Sequence, residues 1–307
     1  MYLFVKIWLR FALRFYCGNV TINRGNIPAR QTPVILASNH PNSFLDALLI
    51  AAHYPTDVHF MARGDAFKKP FVARILRMLK LIPIYRLSEG KENLSVNEKS
   101  FTECVEVLKK NGTVLIFPEG LCEHQLGLRP LRKGTARVAY KAWYESGIND
   151  MLVQPIAIRY NSFSYVPKEV DIKYGNSFLK DTISAEQPGL FYNDFNALLS
   201  ERMEIAMLDN AANSKKKKIK NVFLSLAAFI GFATQRWYYI AWRNFAAKKT
   251  EGTVFYDSVL FGCLMLTYPL FVIFMTMLLW VVTGCYWMLS LIVLLPFTAW
   301  CYKEYKS

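Results

Sequence analysis

From Ser258 to Tyr302 this chain of 307 residues contains no Asp, Glu, Lys or Arg. Such a stretch is long enough for two helices of about 20 residues each, the length that crosses a bilayer. At about 1.5 Å per residue, the part before Thr283-Gly284 covers roughly 36 Å and the part after it roughly 27 Å, against a hydrocarbon core of about 30 Å. We therefore predict a C-terminal transmembrane helical hairpin within residues 251–307. A helical hairpin buried in a soluble core is the alternative.

Basic side chains flank both ends of this uncharged stretch. They are Lys303 and Lys306 after it, and Arg236, Arg243, Lys248 and Lys249 before it. Positive residues accumulate at the cytoplasmic ends of membrane spans, so a hairpin that returns to its starting side would leave both ends in the cytoplasm. The sequence thus predicts a membrane protein whose main domain lies at the cytoplasmic face.

Two further regions are predicted to face the membrane without crossing it. Residues 1–19 place basic and apolar side chains on separate stripes, which is typical of an amphipathic helix at the membrane surface. The basic stripe is Lys6, Arg10 and Arg14, and the apolar one includes Leu3, Ile7 and Phe11. These charges interrupt the apolar run, which disfavours a secretory signal. Residues 213–250 are predicted to form a basic linker and then an interfacial or re-entrant helix over 221–235.

The formal net charge of +14 requires an acidic partner, either anionic lipid or nucleic acid. The densest basic run is Lys215 to Lys218 with Lys220, and it lies beside apolar segments, which favours anionic headgroups of membrane lipids. Zinc-finger spacing and aromatic RNA-binding motifs are absent from the sequence, so we predict no nucleic-acid partner. The six cysteines are scattered without paired spacing, which predicts neither a disulfide framework nor a metal site.

Residues 20–212 alternate short apolar runs with helical patterns, which predicts an α/β domain with a mostly parallel sheet flanked by helices. The predicted strands are 33–38, 57–62, 81–85, 114–117, 153–159 and 170–174, and the predicted helices are 44–52, 71–79, 95–111, 134–145 and 190–212. A phosphate-binding glycine loop that ends in Lys-Ser or Lys-Thr does not occur, which argues against a nucleotide hydrolase.

Candidate chemistry lies just after the first of these strands, at His40 and Asp46. Pro41 keeps the residue before it out of the helical region, so His40 is expected in the loop while Asp46 lies near the start of the next helix. The loop can then fold back and let the carboxylate orient the imidazole, leaving the second ring nitrogen free as a base. An ordinary His–Asp loop pair is the alternative, because a short motif needs its context.

A second motif, Phe117-Pro118-Glu119-Gly120, supplies that context. Together the two motifs resemble the PlsC-like superfamily of glycerol-phosphate and lysophosphatidate acyltransferases. The family spaces its His and Asp by four residues, whereas five lie between them here, which is similar to a subgroup that acylates glycerol-3-phosphate or dihydroxyacetone phosphate. Further blocks match in order at 81–86, 129–137 and 153–158, although the glycine usual near the start of the first is missing.

The resemblance implies transfer of a fatty acyl group from an acyl thioester to a hydroxyl of a glycerol-phosphate or lysophospholipid acceptor, in phospholipid synthesis. His40 would be the general base and Asp46 would orient it. Arg86 would bind the acceptor phosphate, with Arg132 and Lys133 as secondary cations. Glu119 would bond an acceptor hydroxyl or, equally, tether Arg86 or backbone amides, and Gly120 would permit close approach. The resemblance implies no metal and no bound cofactor, with acyl-CoA or an acyl carrier protein as the thioester co-substrate.

Two other functional classes remain open from the sequence. One is a non-catalytic lipid-binding or scaffold protein with the same fold, which would not need His40 and Asp46 together. The other is a hydrolase that uses the pair with water, or with Ser43 as a nucleophile. A Gly-x-Ser-x-Gly nucleophile elbow is absent from the sequence, which disfavours the hydrolase.

Overall fold

A computed structural model describes residues 2–25, 27–85, 93–125, 127–209 and 222–306. The strands are β1 (Cys17–Asn23), β2 (Val34–Ser38), β3 (Val58–Arg63), β4 (Leu81–Ile84), β5 (Thr113–Ile116), β6 (Leu152–Tyr160) and β7 (Lys168–Tyr174). The helices are α1 (Tyr2–Tyr16), α2 (Phe44–His53), α3 (Pro70–Met78), α4 (Asn93–Lys109), α5 (Gly134–Tyr140), α6 (Pro188–Asp209), α7 (Val222–Lys249), α8 (Tyr256–Thr283) and α9 (Leu291–Lys306).

The strands form one sheet in the order β1-β7-β6-β2-β5-β3-β4. Strands β6, β2, β5, β3 and β4 are parallel neighbours, while β7 pairs antiparallel with β6 and parallel with β1. Every residue of the central strand β2 is buried, as its unbroken apolar run Val-Ile-Leu-Ala requires of a strand covered on both faces. The predicted mostly parallel sheet flanked by helices is confirmed.

Two hydrophobic layers cover the sheet. Alternate residues of β2 point into different layers, with Val34 and Leu36 on one face and Ile35 and Ala37 on the other. The first face is covered by α1, α2 and the ends of α7 and α8 that lie nearest the sheet. The second is covered by α4, α5 and α6. The α2 helix therefore lies between the sheet and the C-terminal helices.

The N-terminal helix α1 packs on the domain with a different orientation from the one its charge pattern suggests. Its Lys6 is buried, and the Lys6 Nζ donates to the backbone oxygens of Tyr54 (2.6 Å) and Thr56 (2.8 Å), just past the end of α2. Arg10 bonds the carbonyl of Ala52 in the same way. These cations satisfy carbonyls at a helix C-terminus, where positive charge is favourable. Burial lowers the pKa of Lys6 to about 8.

As a consequence, the outward surface of α1 is mostly apolar, with Arg14 exposed in its last turn. It carries Leu3, Phe4, Ile7 and Phe11, all about half exposed or more. Of the predicted basic stripe, Lys6 and Arg10 thus contact protein, and the apolar stripe is available to lipid.

The C-terminal helices pack together at the edge of the domain. The α7 helix runs unbroken through Lys249, well beyond the predicted segment 221–235, and it crosses α9 so closely that a Cβ on Gly231 would lie 2.3 Å from the Thr298 oxygen. In the described part of the chain, α8 alone is long and apolar enough to cross a membrane. Its 28 residues cover about 42 Å, whereas the 16 residues of α9 cover about 24 Å. The second span of the hairpin stays a prediction.

Candidate active site

The two sequence motifs meet at the carboxyl ends of neighbouring parallel strands, β2 and β5. This edge is where open α/β sheets place their ligands. The Nδ1 of His40 lies 2.9 Å from the Oδ2 of Asp46, which is fully buried, while the histidine side chain is 19% exposed. None of the described residues hydrogen-bonds the other ring nitrogen, Nε2. The pair thus has the geometry of an oriented, accessible base.

The loop that makes this pair possible is held in an uncommon backbone conformation. Ser43, the N-cap of α2, has φ 53° and ψ −136°, a region that residues with a side chain rarely adopt. Its backbone N–H donates to the Sγ of Cys122 (2.9 Å), and the N–H of Asn42 donates to Asp46 Oδ2 (2.8 Å). The loop accommodates five residues between His40 and Asp46 and still places the two side chains in contact, as expected from Pro41.

Asp46 is fixed by a third partner. The hydroxyl of Tyr160, at the end of β6, donates to Asp46 Oδ1 at 2.6 Å. Burial, together with the neighbouring carboxylate, raises the pKa of Tyr160, so the phenol keeps its proton and remains a donor. Both oxygens of the carboxylate are therefore occupied, and its orientation toward the imidazole is set from two sides.

Glu119 hydrogen-bonds the backbone of His40. Its Oε1 accepts the backbone N–H of His40 at 2.9 Å, and the ring of Phe117 stacks on the imidazole with centroids 3.8 Å apart. Burial raises the pKa of Glu119, and the His40 amide opposes that shift. Of the roles left open for Glu119, the structure shows the tether to a backbone amide.

Gly120 and Arg132 lie against each other. Gly120 has φ +69°, and an added Cβ would lie 3.1 Å from the Cγ of Arg132. The backbone N–H of Arg132 donates to the backbone oxygen of Pro118 (2.7 Å). The turn after the Glu motif therefore places an exposed arginine beside the site. Lys133 is exposed at the start of α5. Arg86 lies outside the described residues.

Gly120→Ala should lower stability and also weaken binding of the acceptor that the resemblance implies. Alanine in the left-handed region costs about 1–2 kcal/mol, and its methyl group would displace Arg132. Gly147→Ala is a matched control, since Gly147 has φ +66° and nothing within 4 Å of its added Cβ. Thermal unfolding should show a similar loss for both variants, while only Gly120→Ala should raise the acceptor KM. Equal acceptor KM values in the two variants would show that the position of Arg132 against Gly120 does not matter for acceptor binding.

Several residues of the site are not among the candidates from the sequence motifs. Asn39 pairs with the backbone of Ile158 on β6 through its side-chain amide nitrogen and oxygen (2.9 and 2.8 Å), which ties the loop of His40 to the sheet. Arg129 lies near Glu119 and contacts the Glu123 carboxylate at 3.1 Å. Its membership of the basic block 129–137 is the signal that could have singled it out. For Tyr160 and Cys122, the sequence offers no comparable signal.

One group of side chains, His40, Asp46 and Cys122, has donor atoms within 4.8 Å of one another, as a metal site would need. The chemistry of the donors disfavours that use. Burial raises the pKa of the Cys122 thiol to about 12, whereas a metal ligand must be a thiolate. Asp46 is already committed to His40, Asn42 and Tyr160.

The sequence comparisons agree with this geometry. The family model described as Acyltransferase matches residues 19–159, a range that contains both motifs and the strands that carry them. Over these residues the chain is similar to the acyltransferases that the two motifs indicate. It is also similar to two plant chloroplast proteins described as 1-acyl-sn-glycerol-3-phosphate acyltransferases. The protein of Arabidopsis thaliana is 28% identical over 137 residues, and that of Brassica napus is 25% identical over 136.

These matches cover 44% of this chain but only 36% and 38% of the Arabidopsis and Brassica proteins. A 1-acyl-sn-glycerol-3-phosphate acyltransferase of Bacillus subtilis is 24% identical over 140 residues, which is 45% of this chain and 65% of that protein. The crystal structure of the 1-acyl-sn-glycerophosphate acyltransferase PlsC from Thermotoga maritima aligns with a TM-score of 0.48 at 20% identity, over 68% of this chain and 81% of that one.

Proposed function

We propose that this protein is a member of the PlsC-like superfamily and a membrane-bound O-acyltransferase, which moves a fatty acyl group from a thioester to a hydroxyl of a glycerol-phosphate or lysophospholipid acceptor. The observation that carries the proposal is the His40 imidazole, whose Nδ1 is held by the buried Asp46 and whose Nε2 has no partner among the described residues. A protein that only binds or scaffolds lipid has no use for a base that is oriented in this way.

In the proposed reaction, His40 Nε2 takes the proton of the acceptor hydroxyl as its oxygen attacks the thioester carbonyl. The tetrahedral intermediate then collapses, the carbon–sulfur bond breaks, and the thiolate takes the proton from the imidazolium. Asp46 keeps Nδ1 protonated and stabilises the imidazolium while it exists. General base catalysis of this kind contributes about 10² to 10⁴ in rate. No redox step or bound cofactor is needed, because the thioester itself is the acyl donor.

The acceptor phosphate needs cations near the base. We propose Arg86 as its main ligand on the basis of the resemblance, with Arg132 and Lys133 as secondary ones. Arg132 contacts the turn of Gly120 and is exposed, which supports its part in this role. Glu119 is proposed to act through the His40 amide, and Gly120 to let the arginine and the acceptor approach the backbone closely.

Arg86→Ala should raise the acceptor KM by at least ~10-fold and leave the donor KM nearly unchanged. The reason is that guanidinium binds phosphate oxygens through two parallel hydrogen bonds. Arg86→Lys should restore only part of the affinity. Steady-state kinetics with each substrate varied in turn measure both constants, and equal changes in the two would assign Arg86 a structural role.

We also propose that the chain acts at the cytoplasmic face of a membrane. The length and apolar surface of α8, the outward Leu3, Phe4, Ile7 and Phe11 of α1 and the net positive charge support contact with anionic headgroups. The donor is proposed to be an acyl-CoA or an acyl carrier protein that arrives from the aqueous side.

The test is a panel of acceptors offered to the purified full-length protein in detergent with a labelled acyl thioester. Glycerol-3-phosphate, dihydroxyacetone phosphate, lysophosphatidate and other lysophospholipids are compared by the labelled lipid they yield. Label transferred to a phosphate-bearing acceptor supports the proposal and identifies the acceptor. Label released only as free fatty acid would indicate a hydrolase, and an unchanged thioester with bound lipid would indicate a lipid-binding protein.

A further inference from the structure

A buried charge cluster joins the first turn of the membrane helix α8 to the domain. Asp257 and Lys168 form an ion pair in which both side chains are 0% exposed. The hydroxyl of Tyr16, at the end of α1, donates to the same carboxylate. Burial lowers the pKa of Lys168, and the charge of Asp257 opposes that shift. A carboxylate at the start of a membrane helix would ordinarily face water, so its complete burial here needs a reason.

The loop that carries His40 supplies the fourth member of this cluster, Asn42. Asn42 donates its side-chain Nδ2 to Asp257 Oδ2 at 2.6 Å and its backbone N–H to Asp46 Oδ2 at 2.8 Å. One residue therefore lies between the carboxylate that orients the base and the carboxylate of α8. Because the Asn42 side chain is fully buried and held by Asp257, the position of its backbone N–H depends on α8.

Two neighbouring contacts of α8 and of the segment before it reach the same loops. Ser258 Oγ accepts the backbone N–H of Leu45 in the first turn of α2 (3.2 Å), an amide that also donates to the Asn42 oxygen in the loop. His124, four residues past the Glu motif, lies close to the backbone of Val254 and stacks on Phe163 with centroids 4.6 Å apart. The residues around the start of α8 thus contact both loops of the candidate site.

We propose that Asp257 is a positioning residue of the active site. It acts through Asn42 to hold the loop that places Asp46 against His40, and Lys168 compensates the charge that this burial requires. The membrane helix is thereby coupled to the catalytic base. The proposal rests on the proposed acyl transfer, and it adds that a residue of the anchor sets the geometry of the base.

A bare loss of activity in Asp257→Ala would not test this, because an uncompensated buried Lys168 would destabilise the fold. The informative comparison uses two double variants that both remove the ion pair. Lys168→Met with Asp257→Asn keeps a side-chain oxygen at position 257 that can accept the Asn42 Nδ2–H. The amide nitrogen of the new side chain then lies on the side of the Tyr16 hydroxyl. Lys168→Met with Asp257→Leu has the same branched arrangement of four side-chain heavy atoms at position 257 and offers no acceptor. Replacing a buried ion pair by neutral groups is often tolerated, so both are expected to fold.

Steady-state kinetics and thermal unfolding of the full-length protein in detergent are measured for the wild type and for both double variants. The double variant with Asp257→Asn (the Asn form) should keep kcat within about threefold of the wild type. The double variant with Asp257→Leu (the Leu form) should lose at least ~10-fold in kcat, with both KM values nearly unchanged. Adding Asn42→Ala should lower kcat of the Asn form and leave the Leu form as it is. Equal kcat in the Asn and Leu forms, when both unfold cooperatively, would overturn the proposal.

A spectroscopic measurement separates this proposal from the proposed function. With ¹⁵N-histidine labelling, the Nδ1–H of His40 bonded to Asp46 should give a downfield proton resonance in the wild type and in the Asn form, weakened or lost in the Leu form. Assignment uses His40→Ala. If the wild type transfers no acyl group but the resonance follows this pattern, the function fails and the coupling stands. A resonance unchanged in a folded Leu form contradicts the coupling, whatever the activity.

Discussion

His40→Ala is expected to reduce acyl transfer by about 10² to 10⁴-fold, because it removes the proposed base for the acceptor proton. The protein should remain folded, since His40 lies in a loop and packs mainly on Phe117. Turnover of labelled thioester by the purified variant measures the effect. Asp46→Asn should also be severe, at least ~10²-fold, because the amide can favour the wrong imidazole tautomer.

His53→Ala is the matched control for this result. His53 lies in the last turn of α2, the helix that follows the His40 loop, and its Nδ1 hydrogen-bonds the Leu49 oxygen of that helix (2.9 Å). Its removal should change kcat less than threefold. Near-normal turnover by His40→Ala would contradict the mechanism, as would a loss of equal size in both variants.

Truncation after residue 214 should abolish the stable fold, and this is the second large effect that the structure predicts. The truncation removes Leu260 and Phe261, which are buried in the core cluster that also contains α1 and α2. Burying two such side chains stabilises by about 3–6 kcal/mol in all. It also leaves Lys168 buried without Asp257, which costs a further ~3–5 kcal/mol, against a typical total stability of about 5–15 kcal/mol. Thermal unfolding and size-exclusion chromatography should show an aggregated or unfolded product.

The control for the truncation is an internal deletion of residues 273–292 closed by a short glycine-serine linker. Phe271 and Leu295 belong to one cluster, so the ends to be joined lie close together. This variant loses the exposed apolar tip and keeps the buried first turns of α8. It should fold and retain acyl transfer in detergent while binding membranes less firmly. A well-folded, active product from truncation after residue 214 would show that α8 is dispensable for the domain.

The sheet and the His–Asp pair could be predicted from the sequence because both depend on local patterns. Buried parallel strands read as continuous apolar runs, and Pro41 keeps His40 out of the helical region, so that His40 lies in the loop before α2. β1 (Cys17–Asn23) escaped prediction because it is an edge strand with polar residues along it, and its partner β7 lies about 150 residues away in sequence.

The remaining features depend on contacts that periodicity does not encode. The spacing of Lys6 and Arg10 is that of a headgroup-facing stripe, but their partners are carbonyls near the end of α2. Asp257 stands immediately before the uncharged stretch, and its partners Asn42 and Lys168 are 215 and 89 residues away. A carboxylate at that place in the sequence looks like the solvent-exposed boundary of a membrane span. Its burial follows only from the three-dimensional packing of α8.

The measurement that tests the central claim most directly is the release of free thiol from an acyl thioester, followed with and without acceptor for the same protein. If His40 activates the acceptor hydroxyl, thiol should appear only when a phosphate-bearing acceptor is present, in a one-to-one ratio with acylated lipid. His40→Ala should release almost none under either condition. Thiol release at the same rate without acceptor, with free fatty acid as the product, would contradict acyl transfer to a lipid hydroxyl.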